Sequence, residues 1–513
     1  MFSKKNNAAF KLLEKNSLES PNKIAFIDDK EKITYLELKR KVQSFSNKLL
    51  EIGLKKNDRV ILCMNDTINF PICFLGSIWA GIIPICINTM LNKNDLKYML
   101  EDSKAKAVIS SEELIEIFLE LIESYDNSIV LISSFSKNKN RENNNIFNLI
   151  KILEHNITSE PTKTSNNSEC FWLYSSGSTG QPKGTIHIQK SLSCTANLYA
   201  KNILKVKKND IFFSAAKLFF AYGLGNSLTF PLSIGGTSIL SKKRVTAELV
   251  SNIIKKNRVT LFFGVPTLYA SIVNSNFKAD DFKTLRLAVS AGEALPAHLY
   301  KKWKEVTGIK VLDGIGSTEM LHIFISNSIT NITPGSSGKP VPGYRAKIIK
   351  DDNTEAGIDE IGELEIKGPS SAIKYWNKPE KSKYTFENGW TKTGDKYTKS
   401  ANGVFTYCGR ADDMLKVSGQ YVSPFEIEAA LQSHPCVLEV AVVGKFNEDN
   451  LLKPKAFIVL NPNHKEEIQE LQNILTKYVK SKLMPFKYPR WYEFVTALPK
   501  TTTGKIQRYK LRD

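Results

Sequence analysis

The residues best suited to chemistry form one short stretch, Tyr174–Gly184, which reads Tyr-Ser-Ser-Gly-Ser-Thr-Gly-Gln-Pro-Lys-Gly. Glycines let the backbone turn tightly and approach a ligand closely. Consecutive backbone N–H groups in such turns form a concave anion site, and serine and threonine hydroxyls add donors. Lys183 adds a positive charge, so the stretch predicts a polyphosphate site. The candidate contacts are Ser175, Ser176, Gly177, Ser178, Thr179, Gly180 and Lys183.

The stretch differs from the Walker phosphate loop, in which Gly-Lys is followed by serine or threonine and then by a helix. Here Lys183 is followed by Gly184 and by the strand-like sequence Thr-Ile-His-Ile. An apolar, strand-like run, Cys170–Leu173, leads into it. A flexible spacer is the alternative interpretation, but a fixed Pro-Lys-Gly after a buried strand favours the phosphate site.

A second glycine-rich stretch, Gly314–Glu319, is predicted to form a turn after the strand-like residues Lys310–Asp313. Thr318 can hydrogen-bond a phosphate oxygen, and Glu319 is a hard oxygen ligand suited to Mg²⁺. We interpret His322 as a core histidine rather than a base, because nothing nearby in the sequence orients it.

Three further signals are weaker when taken alone. The turn Ser290–Pro296 follows a predicted strand, where ligands of open α/β sheets usually bind. Asp395, after a predicted tight turn, is suited to accept hydrogen bonds from both ribose hydroxyls, although Gly-Asp turns are common. The run Lys217–Gly225 is rich in aromatic residues and glycine, which fits either a flat pocket or plain core packing.

The elements that must position these residues alternate between helix and strand. Thr34 and Glu37 form a capping-box signature before a helical repeat, and strand-like runs then alternate with helices. This alternation predicts a parallel or mixed sheet covered on both faces. The uncharged stretch Thr67–Asn92 is long enough to span a bilayer. Its glycines and prolines instead favour a helix to about Ala80 and a buried strand, Ile82–Ile87.

The texture of the chain changes after Gly335 to short strands and turns, predicted at residues 346–350, 362–367 and 403–409. Charged residues at Gly409–Asp413 interrupt this pattern and mark the predicted domain boundary. A small α/β unit follows. Lys505 in its tail could be delivered into a site on the large domain, or it is a solvated tail lysine.

Composition bounds the class of protein. A chain of 513 residues exceeds one ordinary core, so two or more domains are expected. The net charge of +19 raises the possibility of nucleic-acid binding, but the lysines are scattered along the chain. We therefore expect neither a nucleic-acid nor a membrane partner. Seven cysteines without a Cys-x-x-Cys pair predict reduced thiols, and the N-terminus lacks an apolar signal core. We expect a cytoplasmic protein.

Five ordered stretches carry a resemblance to a known family, at residues 174–184, 313–324, 391–395, 409–428 and 499–508. The chain resembles the adenylate-forming superfamily of acyl-CoA synthetases, firefly luciferases and peptide-synthetase adenylation domains. Within it, the chain is most similar to aryl-CoA ligases of the benzoate–CoA ligase type. The resemblance implies an α/β fold with a large N-terminal domain, residues 1–410, built of two sheet-plus-helix subdomains and a β-rich subdomain. A hinge at residues 411–413, centred on Asp412, would lead to a small mobile α+β domain at residues 414–513.

The resemblance also implies a two-step reaction that uses ATP, coenzyme A and Mg²⁺. A small aromatic carboxylate, benzoate by expectation, attacks the α-phosphorus to give an acyl-adenylate and diphosphate. The thiol of coenzyme A then takes the acyl group. The expected catalytic residues are Lys505, Thr318 and Lys183, with Glu319 placing Mg²⁺. A monomer or homodimer is expected.

The implied nucleotide contacts extend beyond the phosphate loop. Asp395 and Arg410 would hold the ribose, and Gly419 would line the pantetheine tunnel after the small domain swings. The remaining implied contacts are Gly292, Glu293, Ala294, Asp313, Gly314, Ile315, Gly316, Thr318 and Lys505. Ile315 stands where most relatives place a tyrosine on adenine, a change that benzoate-type members share.

The acyl pocket implied by the resemblance combines small residues with one aromatic wall, which favours a flat, short, apolar acid. It comprises Ala221, Tyr222, Ala291, Gly316 and Ile323. Several alternatives stay open from the sequence. They are a hydroxybenzoate, aminobenzoate or small aliphatic acid as substrate, acyl transfer to a carrier-protein thiol, and a catalytically silent adenylate-binding protein.

Overall fold

The computed structural model describes most of the chain. The described residues are 2–135, 145–177, 180–275, 277–411, 413–417, 420–448, 451–462, 467–484, 487–500 and 506–512. Five of the predicted site residues lie outside these ranges and are not discussed structurally: Ser178, Thr179, Asp412, Gly419 and Lys505.

The strands are numbered in chain order. They are β1 (Ile24–Ile27), β2 (Lys32–Thr34), β3 (Arg59–Cys63), β4 (Ile83–Cys86), β5 (Ala107–Ser110), β6 (Val130–Ser133), β7 (Ile146–Asn148), β8 (Glu169–Gly177), β9 (Gly180–Ile188), β10 (Ile211–Ser214), β11 (Thr237–Ile239), β12 (Leu261–Gly264), β13 (Leu287–Ser290), β14 (Val311–Gly316), β15 (Ile323–Ser326), β16 (Lys339–Pro340), β17 (Arg345–Ile349), β18 (Gly362–Lys367), β19 (Lys374–Tyr375), β20 (Phe386–Glu387), β21 (Trp390–Lys399), β22 (Phe405–Arg410), β23 (Leu415–Val417), β24 (Gln420–Val422), β25 (Val437–Phe446), β26 (Leu452–Leu460) and β27 (Trp491–Phe494).

The α-helices are numbered in the same way. They are α1 (Ala8–Glu19), α2 (Tyr35–Glu51), α3 (Asn69–Trp79), α4 (Lys93–Ser103), α5 (Ile115–Tyr125), α6 (Leu149–Glu154), α7 (Ser191–Thr195), α8 (Ala221–Leu224), α9 (Phe230–Ile234), α10 (Ala247–Asn257), α11 (Pro266–Val273), α12 (Ala297–Thr307), α13 (Pro379–Thr385), α14 (Pro424–Gln432) and α15 (Ile468–Lys482). Short 3₁₀ turns and two π-helical segments, Ala196–Lys201 and Gly225–Thr229, complete the helical structure.

Two mixed sheets form the body of the large domain. One has nine strands in the order β16-β15-β14-β13-β12-β10-β11-β1-β2, and the other has eight in the order β19-β9-β8-β4-β3-β5-β6-β7. Strands β10 to β14 and β3 to β8 are joined mainly in parallel, which confirms the sheet type predicted from the alternation of helix and strand.

Strand β3 illustrates why both faces of the eight-stranded sheet are buried. Its alternate residues enter two different hydrophobic cores, with Val60 and Leu62 in one and Ile61 and Cys63 in the other. A strand buried on both faces carries an unbroken apolar run instead of an alternating one. The apolar sequence therefore fits the parallel centre of the sheet.

Local signals set the helix boundaries where the sequence predicted them. Thr34 and Glu37 form the complete capping box at the start of α2. The uncharged stretch folds as α3 followed by the fully buried β4, and Gly81 between them has φ +75°. None of the helices in the described part of the chain combines the length and apolarity needed to span a bilayer.

Three predicted turns are wrong in detail because strand pairing extends through them. Lys183 lies within β9, and Gly314, Ile315 and Gly316 belong to β14, which pairs antiparallel with β15. Asp395 lies inside β21 at an irregularity of its pairing with β18, and Gly394 there has φ +71°. Glycine permits these strands to bend without breaking the hydrogen-bonded ladder.

The β-rich part and the C-terminal unit also follow the prediction. Strands β17, β18, β21, β20 and β22 form a five-stranded sheet, and β25, β26 and β27 form a separate three-stranded sheet packed with α14 and α15. After β9, helix α7 begins at Ser191 and continues as the π-helical segment to Lys201.

Candidate active site

The β8–β9 hairpin carries the first predicted phosphate-binding residues. Ser175 and Lys183 are directly paired across its two strands. Strand β19 adds to the other side of β9, where Tyr375 pairs with Thr185. Residues two apart on neighbouring strands lie on one face of a sheet. Accordingly, the Lys183 ammonium lies over the Tyr375 ring, 4.5 Å from its centroid.

Helix α4 packs against the hairpin and is hydrogen-bonded to it through Asp102. The Tyr174 hydroxyl donates to the Asp102 carboxylate at 2.7 Å, and the Trp376 indole donates to the Asp102 carbonyl at 2.8 Å. The Arg59 guanidinium lies over the rings of Trp172 and Trp376, at 5.6 and 4.9 Å from their centroids. These contacts fix the strands that carry Ser175 and Lys183 without using either of them.

The turn after β14 brings Glu319 to the same face. One oxygen of its carboxylate, Oε1, accepts hydrogen bonds from the Tyr375 hydroxyl at 2.8 Å and from the Ser175 hydroxyl at 3.3 Å. The charge of Glu319 acts on Lys183, where it opposes the lowering of the lysine pKa that burial causes. The two glycine-rich stretches, separate in sequence, therefore meet around Tyr375.

His187 connects the two stretches through the backbone. Its Nε2 lies 2.9 Å from the carbonyl oxygen of Thr318. Because a carbonyl only accepts, Nε2 carries the proton and donates. Burial lowers the pKa of His187 to about 4, so the ring is neutral at physiological pH. The fixed donor holds the backbone of Thr318, and with it Glu319, against strand β9.

Asp313 presents an unpaired oxygen in the middle of β14, where the parallel pairing with β13 ends. Its Oδ2 accepts from the backbone N–H of Leu295 at 3.2 Å, while Oδ1 is buried and has no hydrogen bond within the described residues. Burial raises the pKa of Asp313 well above its usual value. A buried acceptor without a donor is costly, so the site suits a ligand that brings an N–H or O–H group.

The predicted residues Gly292, Glu293 and Ala294 lie beside Asp313 because β13 and β14 are parallel neighbours, with Ser290 aligned to Asp313. Gly292 has φ +97°, which turns the chain sharply after β13. The backbone of Leu295 then reaches the Asp313 carboxylate. The structure thus brings this turn and the second glycine-rich stretch together, as expected for two strand ends of one parallel sheet.

Asp395 and Arg410 form an ion pair at the edge of the β-rich sheet. Their backbones pair directly between β21 and β22, and Arg410 Nη1 lies 3.1 Å from Asp395 Oδ1. Arg410 also donates to the carbonyl of Thr393 at 3.0 Å. Its positive charge acts on both Lys183 and Tyr375, which places this pair in the same electrostatic neighbourhood.

Most of the predicted acyl-pocket residues meet in one apolar cluster. Ala291 and Ile323 are buried there, and Tyr222 and Ile315 pack against them. The Tyr222 hydroxyl donates to the carbonyl of Val289 at 3.2 Å, which fixes the ring. Ala221 precedes Tyr222 on α8 and is buried.

Gly316 borders this apolar cluster at a position where only glycine fits, because a side chain there would collide with the backbone of His322. A Cβ at Gly316 would lie 2.7 Å from the carbonyl carbon and oxygen of His322. His322 is a core histidine, as predicted. Its Nε2 lies 3.0 Å from Asn226 Oδ1, and its ring packs against Tyr222 and Phe230. Burial lowers its pKa to about 3, so it is neutral.

Glu319 is the residue best suited to a cation. Its second oxygen, Oε2, forms no hydrogen bond to any described residue, and the carboxylate is half-buried. Within the described residues, no group of three histidine, cysteine or acidic side chains could hold a metal by itself. A single carboxylate fits Mg²⁺, which usually binds one or two carboxylates together with substrate phosphates.

Sequence reasoning missed Tyr375 and His187. Tyr375 reaches the site only because β19 pairs with β9. No local sequence pattern predicts that pairing. His187 lies four residues after Lys183 in the same strand. A polar residue between the apolar Ile186 and Ile188 was a weak sequence signal that this position faces the site. Ser176, Gly177 and Gly180, predicted to lie in a loop, instead belong to strands β8 and β9 of the hairpin.

Comparison with known proteins identifies the family. Residues 13–376 match the AMP-binding enzyme family, and residues 426–505 match the AMP-binding enzyme C-terminal domain. The chain therefore belongs to the AMP-binding enzyme family. The second match confirms a distinct small C-terminal domain.

Similar proteins cover almost the whole chain. It is 48% identical to the benzoate–CoA ligase of Thauera aromatica, over 99% of this chain and 95% of that protein. It is 42% identical to the 4-hydroxybenzoate–CoA/benzoate–CoA ligase of Rhodopseudomonas palustris, over 99% of this chain and 94% of that protein. Among solved structures, a benzoate CoA ligase from Burkholderia xenovorans LB400 superposes with a TM-score of 0.91 at 42% identity, over 99% of this chain and all of that chain. An anthranilate CoA ligase in complex with anthranoyl-AMP gives a TM-score of 0.92 at 38% identity, over 98% of this chain and 96% of that chain.

Proposed function

We propose that the chain is an AMP-forming aryl carboxylate–CoA ligase that acts on benzoate. The reaction converts ATP, benzoate and coenzyme A into AMP, diphosphate and benzoyl-CoA through benzoyl-adenylate. The observation that carries the proposal is the meeting of Ser175, Lys183 and Glu319 around Tyr375. It occurs in a chain that matches benzoate CoA ligases along nearly its full length.

In the first step, a benzoate oxygen attacks the α-phosphorus, and the bond from that phosphorus to the α,β-bridging oxygen breaks. Diphosphate leaves with the electron pair. A carboxylate is a poor nucleophile toward an anionic triphosphate, so charge neutralisation and in-line positioning dominate. Lys183 and the β8–β9 hairpin would bind the β- and γ-phosphates, and Thr318 the α-phosphate. Glu319 would hold Mg²⁺, which supplies positive charge to the phosphate oxygens.

Recognition of the nucleoside would use the two other parts of the site. The unpaired Oδ1 of Asp313 is suited to accept from the adenine amino group, with Gly292–Ala294 beside it and Gly314–Gly316 below. The Asp395 carboxylate, oriented by Arg410, would accept from the ribose hydroxyls. These roles are supported by burial and by the hydrogen bonds that fix each carboxylate.

The acyl group would lie in the cluster formed by Ala221, Tyr222, Ala291, Gly316 and Ile323. Its walls are apolar, and its one aromatic ring is fixed by a hydrogen bond. A flat aromatic acid fits such walls, whereas a single ring substituent changes binding by only about 1–3 kcal/mol in an apolar pocket.

We propose the domain boundaries at residues 1–410 and 414–513, joined at residues 411–413 with Asp412 as the hinge. Lys505 would bridge the acid and the α-phosphate in the first step. Rotation of the small domain would then withdraw Lys505 and bring Gly419 to the pantetheine tunnel. We also propose a cytoplasmic monomer or homodimer. The seven unpaired cysteines support a reducing compartment.

The test is diphosphate release from the purified protein over a panel of acids, with and without coenzyme A. Benzoate is expected to give the highest kcat/KM, and benzoyl-CoA should accumulate in equal amount to AMP. Hydroxybenzoates, 2-aminobenzoate and small aliphatic acids serve as the competing substrates. Benzoate-dependent diphosphate release without any coenzyme A thioester would point to a carrier-protein acceptor, and no response to any acid would refute the ligase.

A further inference from the structure

A second lysine, Lys381, lies beside the phosphate-binding residues, and neither the motifs nor the family match accounts for it. It belongs to helix α13 (Pro379–Thr385), beyond the matched residues 13–376. We propose that Lys381 binds the β- and γ-phosphates of ATP, and the departing diphosphate, together with Lys183. The inference rests on the proposed function and assigns an additional residue to its nucleotide site.

The position of Lys381 is fixed by its neighbour in the helix. The backbone N–H of Tyr375 donates to the Ser382 hydroxyl at 2.9 Å, and that hydroxyl donates to the carbonyl of Lys378 at 2.7 Å. The rings of Tyr375 and Phe386, on the two sides of α13, also pack together at 5.2 Å. The helix is therefore tied at both ends to the residue over which Lys183 lies.

The side chain of Lys381 is half-buried. It precedes Ser382, which is hydrogen-bonded to the backbone of Tyr375, and the Lys183 ammonium lies over the Tyr375 ring. The positive charges of Lys381 and Arg410 both act on Lys183. Burial is the largest cause of the lowered pKa of Lys183, Glu319 opposes it, and these two cations add to it. The charges of two ammonium groups and a guanidinium are thus felt on the side of Tyr375 that Lys183 covers.

The charges around this point are unbalanced. Within the described part of the chain, Lys381 forms no ion pair with a carboxylate, and the adjacent Glu380 is exposed to solvent. Arg410 is paired with Asp395. Like charges held close together are unfavourable unless an anion lies between them. A polyphosphate tail supplies such an anion, whereas AMP, which lacks the β- and γ-phosphates, does not.

This difference between ATP and AMP gives the proposal a specific signature. If Lys381 contacts only the two outer phosphates, its removal weakens the binding of ATP and diphosphate. The binding of AMP and benzoate is then unaffected. A lysine that merely stabilises α13 would act on all four ligands alike, because the helix contacts Tyr375 and through it Glu319.

The experiment compares Lys381→Ala, Lys381→Arg and the matched control Lys383→Ala in the full-length protein. Lys383 lies on the same helix and is exposed. We expect Lys381→Ala to raise the KM for ATP and the inhibition constant of diphosphate roughly tenfold, the scale of one charge-assisted hydrogen bond. The KM for benzoate and the Kd for AMP should change less than about twofold, on the same physical ground. Lys381→Arg should retain most of the affinity, and Lys383→Ala should match the parent protein.

Unchanged ATP and diphosphate constants in Lys381→Ala would overturn the inference. Equal weakening of AMP and ATP would also overturn it, since that result reports a structural role. Isothermal titration with magnesium ATP, magnesium diphosphate and AMP gives the same comparison without turnover. If the parent protein releases no acid-dependent diphosphate, the proposed function fails, and these titrations still decide the role of Lys381.

Discussion

The Glu319 carboxylate joins the two glycine-rich stretches of the proposed nucleotide site, through hydrogen bonds from Ser175 and Tyr375. Sequence motifs identified it and Lys183, because both follow glycine-rich stretches of characteristic composition. They could not identify Tyr375, which donates to Glu319 and lies under Lys183. Its role depends on a strand pairing between distant parts of the chain, and such pairing leaves no local trace in sequence.

Replacing Tyr375 by phenylalanine tests this contact. The ring would stay beneath Lys183, but Glu319 would lose its shorter hydrogen bond. A buried hydrogen bond contributes about 1 kcal/mol, so we expect kcat/KM for ATP to fall roughly fivefold, on the same physical ground. Steady-state kinetics at saturating benzoate measure this fall in kcat/KM for ATP. Tyr384→Phe, at an exposed tyrosine of the neighbouring helix α13, is the control. Equal kinetics in the two variants would contradict the assigned contact.

His322 predicts a pH dependence of stability. Burial lowers its pKa from 6.5 to about 3, so the folded form stays neutral while the unfolded chain takes up a proton below pH 6.5. This uptake destabilises the fold by about 2 kcal/mol between pH 7.5 and pH 5. His322→Gln removes the titration and keeps a polar group near Asn226. The free-energy cost of the substitution should therefore be about 2 kcal/mol smaller at pH 5 than at pH 7.5.

Urea unfolding at the two pH values gives this difference directly. The substitution is compared with His155→Gln, at an exposed histidine, which should leave the pH dependence of unfolding unchanged. A cost of His322→Gln that is the same at both pH values would show that the histidine is not buried in its neutral form.

Helix α4 and the β8–β9 hairpin act as one unit at the level of secondary structure. Tyr174 joins the two elements. It lies on the strand that carries Ser175, and its hydroxyl donates a hydrogen bond to Asp102 of α4. Tyr174→Phe should lower the free energy of unfolding by about 1–2 kcal/mol and leave the Asp102 oxygen unsatisfied. It should also raise the KM for ATP severalfold, since the strand is less firmly held.

Denaturant unfolding and the KM for ATP measure the two effects in the same variant. The exposed Tyr125→Phe is the matched control for loss of a phenol hydroxyl. Lost stability without any change in the KM for ATP would separate α4 from the nucleotide site and contradict the link.

Elements were predictable where one signal dominated. The capping box placed α2, and the uncharged stretch divided at its glycine into α3 and β4. Predictions failed where glycine suggested a turn but neighbouring strands supplied hydrogen bonds, as in β14 and β21. Glycine composition alone cannot distinguish a turn from a bent strand, because the deciding partner lies elsewhere in the sequence.

At the scale of the whole molecule, the C-terminal tail packs back against residues close to the proposed domain boundary. Arg508 forms a buried ion pair with Glu428 at 2.7 Å, and Arg512 pairs with Asp413. Lys500 and Ile506 are bridged, so the ends of the segment that contains Lys505 are held together. These contacts of the flanking residues support the proposal that the small domain carries Lys505.

Separate measurement of the two half-reactions tests that role. Lys505→Ala should lower benzoate-dependent diphosphate release by roughly 10²–10³, the scale for one preorganised charge. It should still convert supplied benzoyl-adenylate and coenzyme A to benzoyl-CoA at close to the parent rate. Equal loss in both halves would contradict a lysine that serves adenylation alone.

The central claim is that the acid becomes an acyl-adenylate, and oxygen tracing tests it most directly. Benzoate labelled with ¹⁸O in both carboxylate positions is turned over with ATP and coenzyme A. Mass spectrometry then measures the ¹⁸O content of each product. The account predicts one ¹⁸O atom in each AMP and none in diphosphate, because the attacking oxygen stays on the α-phosphorus when the thiol displaces it from carbon. Unlabelled AMP, or label in diphosphate or inorganic phosphate, would contradict it.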